Sequence, residues 1–244
     1  MTTTITGIAG PAAEARPLDA GLVNAQWMRY FAPRTYTNRE EKAAYIAAKY
    51  AAILEGSVLD VGCDQCPLKR HIERPDLYKG IDLAPPADIV LNLDQEPLPF
   101  DDASFDTAVC TDVLEHLERI HANFDELCRV ARSRVIISLP APLTTLLTDI
   151  GNGAYAKDPL ITEGWKKFYG LPLEPPADRH RWFFGFDDAR RFLTHRAAKN
   201  GWTIEQLDTE WHGTTSWRNA AGEQLLAHPN TNYGILWCVL EPAR

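Results

Sequence analysis

The chain has 244 residues, 45% hydrophobic and 24% charged, which is enough to bury a substantial core in one large domain. Its formal net charge of -8 argues against a protein whose main task is gripping nucleic acid, since that task needs clustered Lys and Arg. No apolar run approaches the roughly 20 residues that span a bilayer, so no membrane partner is expected. Five irregularly spaced cysteines favour a reducing compartment. We therefore expect a cytoplasmic protein without a nucleic-acid partner.

The first predicted elements are a tail and a helix. The start of the chain lacks the charged-then-apolar layout of a secretory signal, and residues 1–35 are predicted to be a flexible tail. Residues 36–54 are rich in helix formers, with Thr37 or Asn38 as the cap and Gly56 as the stop. Apolar residues recur there at helical spacing, so one face of this helix should pack on a sheet.

Beyond this helix, short apolar runs alternate with helical patterns. Strands are predicted at residues 58–61, 78–82, 89–91, 106–110, 134–139, 203–207 and 234–240, and further helices at 113–130 and 187–200. Such alternation is typical of an α/β protein with a doubly wound, mainly parallel, seven-stranded sheet that carries helices on both faces. Residues 36–244 are predicted to form this single domain.

The alternation stops at residues 151–186, which are dense in Pro, Gly and aromatic side chains. A loop of this length inside a compact domain is usually functional. We therefore expect a substrate lid, inserted before the last helix and the last two strands.

A cofactor site is expected where the first strand of the domain ends. In doubly wound sheets, ligands bind beyond the carboxyl ends of the strands, where the strand order reverses. Residues 60–67 form that turn, and Asp82 ends the next strand, where a carboxylate can accept both hydroxyls of a ribose. Taken alone, this pattern also suits a nicotinamide cofactor.

Four sequence blocks narrow the choice of cofactor. In chain order they are VLDVGC at residues 58–63, GIDL at 80–83, LPFDDASFD at 98–106 and DVLEHL at 112–117. Together they resemble the class I S-adenosylmethionine-dependent methyltransferases, in particular the broad small-molecule group of the type 11 kind. The resemblance implies a Rossmann-like fold, S-adenosylmethionine as cofactor, and methyl transfer to a small-molecule acceptor.

The resemblance also implies a set of cofactor-binding residues: Asp60, Gly62, Cys63, Asp64, Asp82, Leu83, Leu93, Asp94 and Thr111. In that set, Asp60 organises the turn, Asp82 holds the ribose and Leu83 lies beside the adenine. Asp94 reads the adenine amine, with Asn92 as a competing register.

The first turn departs from the usual Gly-x-Gly-x-Gly of the family. Asp64 and Cys66 stand in the second and third glycine places, where side chains restrict positive φ and narrow the approach to a ligand. A variant cofactor site is the expectation, and a non-catalytic cofactor-binding protein is one alternative. The other alternative, a nicotinamide-dependent oxidoreductase, would normally show Gly-x-Gly-x-x-Gly, which this turn lacks.

Three residues are the candidate catalytic groups: His180, His116 and Asp112. An imidazole titrates near neutral pH and can accept the proton of a hydroxyl as the methyl group is transferred. The expected reaction is O-methylation of a small polar acceptor, such as a sugar or a natural-product-like molecule.

We expect no metal, but an alternative uses the same region. Asp112, Glu115 and His116 stand at i, i+3 and i+4, so they would share one face of a helix start, and His180 could add a fourth ligand. The spacing is similar to the acid-x-x-Glu-His metal motif of small-RNA 2′-O-methyltransferases and of ubiquinone-pathway O-methyltransferases.

Overall fold

The structure is a computed structural model and describes residues 31–151, 174, 179–211 and 233–244. Its eight strands are β1 (Phe31–Pro33), β2 (Val58–Val61), β3 (Tyr78–Asp82), β4 (Ile89–Val90), β5 (Phe105–Thr111), β6 (Ala131–Pro140), β7 (Trp202–Trp211) and β8 (Ile235–Pro242). The α-helices of these ranges are α1 (Arg39–Lys49), α2 (Ile120–Val130), α3 (Pro142–Gly151) and α4 (Phe186–Lys199). None of them is both long and apolar enough to cross a membrane.

All eight strands form one sheet in the order β1-β7-β8-β6-β5-β2-β3-β4. Only β8 is antiparallel to its neighbours, which confirms the predicted doubly wound, mainly parallel architecture. The chain winds from β2 outward to β4 and then returns to β5 on the other side of β2. This reversal between β2 and β5 is the place where such sheets bind ligands.

The strand count differs from the predicted seven because β1 adds a short edge strand beside β7. Phe31 pairs with Thr209 and Pro33 with Trp211. The predicted tail of residues 1–35 is therefore wrong for 31–33, and its first 30 residues lie outside the described part of the chain. A three-residue run without alternation carries too little periodicity to be recognised in the sequence.

Helix α1 begins at one of the two predicted caps. The side chain of Asn38 accepts a hydrogen bond from the backbone N–H of Glu41 at 2.9 Å, as an N-cap does. Tyr36, just before the helix, donates its hydroxyl to buried Glu210 at 2.6 Å. This contact fixes the start of α1 to the end of β7.

The predicted helix at residues 113–130 is divided in two. A single 3-10 turn, Leu114–His116, is followed by extended backbone at Leu117 (ψ 129°), and α2 begins only at Ile120. The apolar residues of both pieces lie in the same core. A periodicity of apolar residues reports burial on one face and cannot detect such a break.

The LPFDDASFD block is a loop held by one arginine, apart from its last two residues, which begin β5. Arg129 of α2 donates to the carbonyls of Leu98 (3.0 Å) and Phe100 (2.7 Å) and pairs with Asp102 at 3.0 Å. Leu98 is buried beneath it. The block therefore joins the segment before β5 to α2.

The last predicted helix and strands are present as α4, β7 and β8, with ends that differ by a few residues. Helix α3, which was not predicted, follows β6 directly. The predicted lid at 151–186 lies mostly outside the described residues, and only 151, 174 and 179–186 of it can be placed.

Candidate cofactor and acceptor site

The turn after β2 has left-handed backbone at all three glycine places of the family motif. The φ angles are 77° at Gly62, 50° at Asp64 and 51° at Cys66. Aspartate enters this region more readily than most residues, and cysteine does so at a cost. The two departures from the glycine motif therefore keep the backbone conformation that glycine would allow.

At Gly62 the glycine is required by space as well as by φ. A Cβ built there would lie 2.1 Å from Cγ2 of Val113. Val113 follows β5, so the two turns at the reversal point of the sheet are in close contact.

The end of β3 holds the turn in place. The backbone N–H groups of Gly62 and Cys63 both donate to the carbonyl of Ile81, at 2.8 and 3.0 Å, and that of Asp64 donates to Oδ2 of Asp82 at 2.7 Å. The other oxygen of Asp82 accepts from the N–H of Leu83 at 2.6 Å. Each carboxylate oxygen has two lone pairs, so both can accept a further hydrogen bond from a ligand.

Asp60 supports the turn from below. Asp60 is 5% exposed, and its carboxylate accepts a hydrogen bond from the Tyr78 hydroxyl at 2.7 Å. Burial raises the pKa of Asp60 to about 6, although the Tyr78 hydrogen bond acts in the opposite direction. Asp60 therefore fixes β2 to β3, and a ligand at the turn would not reach it directly.

This shift predicts an unusual pH dependence. The unfolded chain has an Asp pKa of about 3.9, so above the folded-state pKa of about 6 the charged Asp60 destabilises the fold, and this effect fades as pH falls towards 4. Asp60→Asn should therefore gain stability over the wild type by about 2 kcal/mol more near pH 7.5 than near pH 4.5. Denaturant unfolding at the two pH values measures the difference.

Asp106→Asn is the control. Hydrogen bonds from Ser57 lower the pKa of Asp106, so the stabilisation by this carboxylate is lost only as pH falls below about 4, and the effect of this substitution should change little between pH 7.5 and pH 4.5. A parallel pH trend in the two variants would contradict the assignment for Asp60.

The predicted adenine residues lie on the loop after β4. Oδ1 of Asn92 accepts from the N–H of Asp94 at 3.0 Å, so Asn92 caps the turn. Asp94 in turn accepts from the N–H of Arg119 at 3.0 Å, and the carbonyl of buried Leu93 accepts from Asn123 at 3.1 Å. Leu83, the predicted neighbour of the adenine, is 63% exposed.

Two cations on α1 that the sequence did not single out face the turns. Arg39 pairs with Asp64 at 2.7 Å, and Lys42 pairs with Asp112 at 2.5 Å. The Lys42 side chain is only 13% exposed. The sequence signal for Lys42 was its position next to Ala43 and Ile46 on the apolar face of the helix. A charged side chain on such a face usually has a partner of opposite charge.

Asp112 is committed to this ion pair. Its backbone is left-handed (φ 56°), and its Oδ1 accepts a hydrogen bond from the Ser138 hydroxyl at 2.6 Å. Thr111, which ends β5, pairs in register with Ser138 of β6. The structure therefore places Thr111 and Asp112 at the same edge of the sheet as Gly62 and Asp82.

A second polar group contains three of the four residues of the predicted metal alternative. One possible ligand atom from each of Glu115, His116 and His180 lies within 4.8 Å of the others. The Glu115 side chain is 0% exposed, that of His180 5% and that of His116 21%. Asp112 is not part of this group, because it faces Lys42 and Ser138.

Backbone contacts bring His180 to this group across 65 residues of sequence. The N–H of Arg181 donates to the carbonyl of Glu115 at 2.8 Å, and the Trp182 indole donates to the carbonyl of Leu117 at 2.7 Å. Arg181 also pairs with Glu118 at 3.1 Å. The end of the predicted lid is thus fixed on the segment that follows β5.

All five cysteines are buried free thiols. Cys66 donates to Cys63 at 3.3 Å between the sulfur atoms, and both contact the strand at Gly80, where a Cβ would lie 2.8 Å from the Cys63 sulfur. Burial raises the pKa of Cys63, which disfavours the reactive thiolate. The pair thus packs the turn against β3.

These features define an α/β protein whose candidate ligand site lies at the reversal point of a doubly wound sheet. Residues 59–139 match a family model described as a methyltransferase domain. This stretch, which contains the four sequence blocks except Val58 and ends in strand β6, is therefore similar to a methyltransferase domain, in agreement with the resemblance noted in the sequence. No curated protein matches the chain significantly.

Solved structures are similar to this chain at low sequence identity. The PH0226 protein from Pyrococcus horikoshii OT3 is 15% identical, with 85% of this chain and 92% of that chain covered and a TM-score of 0.53. The [4+2]-cyclase SpnF is 13% identical, with 88% and 86% covered and a TM-score of 0.50. Magnesium protoporphyrin IX methyltransferase from Synechocystis PCC 6803, solved with bound SAH, is 16% identical, with 86% and 90% covered and a TM-score of 0.46.

Proposed function

We propose that this chain binds S-adenosylmethionine at the turn after β2 and directs its methyl group to an oxygen atom of a small polar acceptor. One observation carries the proposal: the turn has left-handed backbone at residues 62, 64 and 66, and the N–H of Asp64 lies against the carboxylate of Asp82. A close-packed turn beside an acidic strand end is the arrangement that receives a nucleoside and its attached chain.

The residues present fit this cofactor. Asp82 would accept the two ribose hydroxyls through its remaining lone pairs, and exposed Leu83 would be covered by the adenine. Asp94, with Leu93 beside it, is assigned to the edge of the adenine. The backbone at Gly62, Cys63 and Asp64 would line the methionine part, and Thr111 would face the methyl group from the end of β5.

Beyond holding the cofactor, the chain must prepare the acceptor for methyl transfer. Bound S-adenosylmethionine supplies a methyl group on a sulfonium, which is an excellent leaving group. The protein must align the acceptor atom with that methyl group and keep water away. If the acceptor is a hydroxyl, its proton must also be removed.

Proton removal is assigned to the group formed by Glu115, His116 and His180. It follows the same β5 strand as Thr111, and residues 180–182 hold the end of the predicted lid against it. His180 and His116 are the groups that can take a proton near neutral pH. A site with two imidazoles favours an oxygen acceptor, sugar-like or natural-product-like, over a nitrogen acceptor.

The free thiols support a cytoplasmic location.

Calorimetric titration tests the cofactor assignment. The full chain should bind S-adenosylmethionine and S-adenosylhomocysteine with one site per chain, and should give no heat with the reduced nicotinamide cofactor. Binding of the nicotinamide alone would replace the proposal by an oxidoreductase, and binding of neither ligand would overturn it.

A further inference from the structure

We propose that Glu115, His116 and His180 form a binding site for a divalent transition-metal cation of the class that includes Zn²⁺ and Co²⁺. Two imidazoles with one carboxylate are ligands that such cations prefer. Their role at the acceptor rests on the proposed function, whereas cation binding itself does not.

The distances between the ligand atoms support a shared ion. Oε1 of Glu115 lies 3.6 Å from Nε2 of His116 and 4.0 Å from Nε2 of His180. Both separations exceed hydrogen-bond length. Around one ion with bonds of about 2.0–2.1 Å, ligand atoms lie about 3.0–3.4 Å apart, so a small rotation of each side chain closes the site.

The packing of the two rings suits a ligand shared between them. The imidazoles of His116 and His180 meet edge to face, with 4.4 Å between their centroids. In this arrangement both rings can direct a nitrogen towards the same carboxylate. The hydrogen bond from Arg181 N–H to the Glu115 carbonyl keeps His180 beside its partners.

Charge favours a cation at this place. The Glu115 side chain is 0% exposed, and the attraction between a carboxylate and a cation is stronger away from bulk water. A divalent cation can bind this carboxylate while both imidazoles stay neutral, which is the form in which histidine binds metals.

The proposed ligand set is not the one that the sequence spacing implies. Asp112 would belong to an acid-x-x-Glu-His set, but it is held by Lys42 and Ser138. His180, the predicted fourth ligand from a distant part of the chain, stays with Glu115 and His116. The hydrogen bond from the Arg181 N–H to the Glu115 carbonyl brings His180 to the other two residues. This tertiary contact cannot be deduced from the spacing of residues in the sequence.

Three protein ligands leave coordination positions open, as in catalytic rather than structural metal sites. An acceptor hydroxyl at an open position would lose its proton to solvent more readily, because a bound cation lowers the pKa of coordinated oxygen. With the cation bound, the two imidazoles would hold it, and the proposed role of His116 and His180 as bases would apply only to the cation-free protein.

Cobalt absorption spectroscopy on the chelator-treated full chain tests the site without any turnover. Co²⁺ should give visible bands that saturate at one ion per chain, and Zn²⁺ should displace it. His116→Gln and His180→Gln should each weaken Co²⁺ binding by at least about 10-fold to 100-fold. His195→Gln, an exposed histidine on α4, is the matched control and should bind as the wild type does.

The possible results separate the two proposals. No saturable Co²⁺ bands in the wild type, or equal affinity in all three variants, would overturn the cation site and leave the histidines as bases. His116, the most exposed of the three ligands, is the variant least expected to disturb folding, and unfolding curves confirm this. Failure of S-adenosylmethionine to bind would sink the proposed function but would leave a measured cation site standing.

Discussion

Asp82→Ala is expected to weaken the binding of S-adenosylmethionine by about 100-fold or more while the chain stays folded. The Asp82 carboxylate is assigned to the ribose hydroxyls, and hydrogen bonds to a charged group contribute about 1.5–3 kcal/mol each. Loss of two such bonds corresponds to at least about 3 kcal/mol, which is about two powers of ten in affinity. The same change removes the acceptor for the N–H of Asp64, so the turn itself is also loosened.

Calorimetry measures the loss, and Asp76→Ala is the matched control. Asp76 lies in the turn before β3 and forms an exposed ion pair with Arg74, so its removal should leave affinity unchanged. If the two variants bound the cofactor equally well, the ribose would have to lie elsewhere and the assignment of the turn would be wrong.

The second large effect is expected at Gly62. Gly62→Ala meets two costs: a left-handed φ of 77° and a Cβ that would lie 2.1 Å from Val113. The first costs about 1–2 kcal/mol and the second about 1–3 kcal/mol. We expect a loss of about 3 kcal/mol in the free energy of unfolding, measured by denaturant titration, together with loss of cofactor binding.

Gly201 separates these two costs. Its φ of 74° is nearly the same, but a Cβ there would meet nothing within 4 Å. Gly201→Ala should therefore show the φ cost alone, about 1–2 kcal/mol. In the double variant Gly62→Ala with Val113→Ala, the steric part should be recovered as a coupling energy. Equal losses at the two glycines would show that the contact with Val113 yields without cost.

The sequence predicted the cofactor half of the sheet closely because its signals are local. Strands β2 and β3 begin and end at the predicted residues, since each is a short apolar run between turn residues. Asn38 caps α1 as expected. The turn was located by the same local signals, but the sequence could not show that Asp64 and Cys66 would adopt the glycine conformation.

The residues around Asp112, Glu115 and His116 are positioned by contacts between distant parts of the chain. Their arrangement was therefore predicted wrongly or not predicted at all. Lys42 and Asp112 are 70 residues apart, and Tyr36 and Glu210 are 174 apart. Neither pairing leaves a periodic pattern. The predicted face formed by Asp112, Glu115 and His116 assumed a regular helix start, whereas Asp112 has left-handed backbone and a 3-10 turn follows it.

The position of β8 has a consequence for how the chain is completed. Strands β2 to β6 emerge in sequence during synthesis, and each finds its parallel partners before residue 141. The other edge of β6, however, has no partner until β8 is synthesised, and β1 has none until β7 is synthesised. A nascent chain therefore carries an exposed strand edge through nearly all of its synthesis. A truncation that removes β8 takes away an internal strand of the sheet, and with it the strand pairing that joins β7 and β1 to the half that contains the turn after β2.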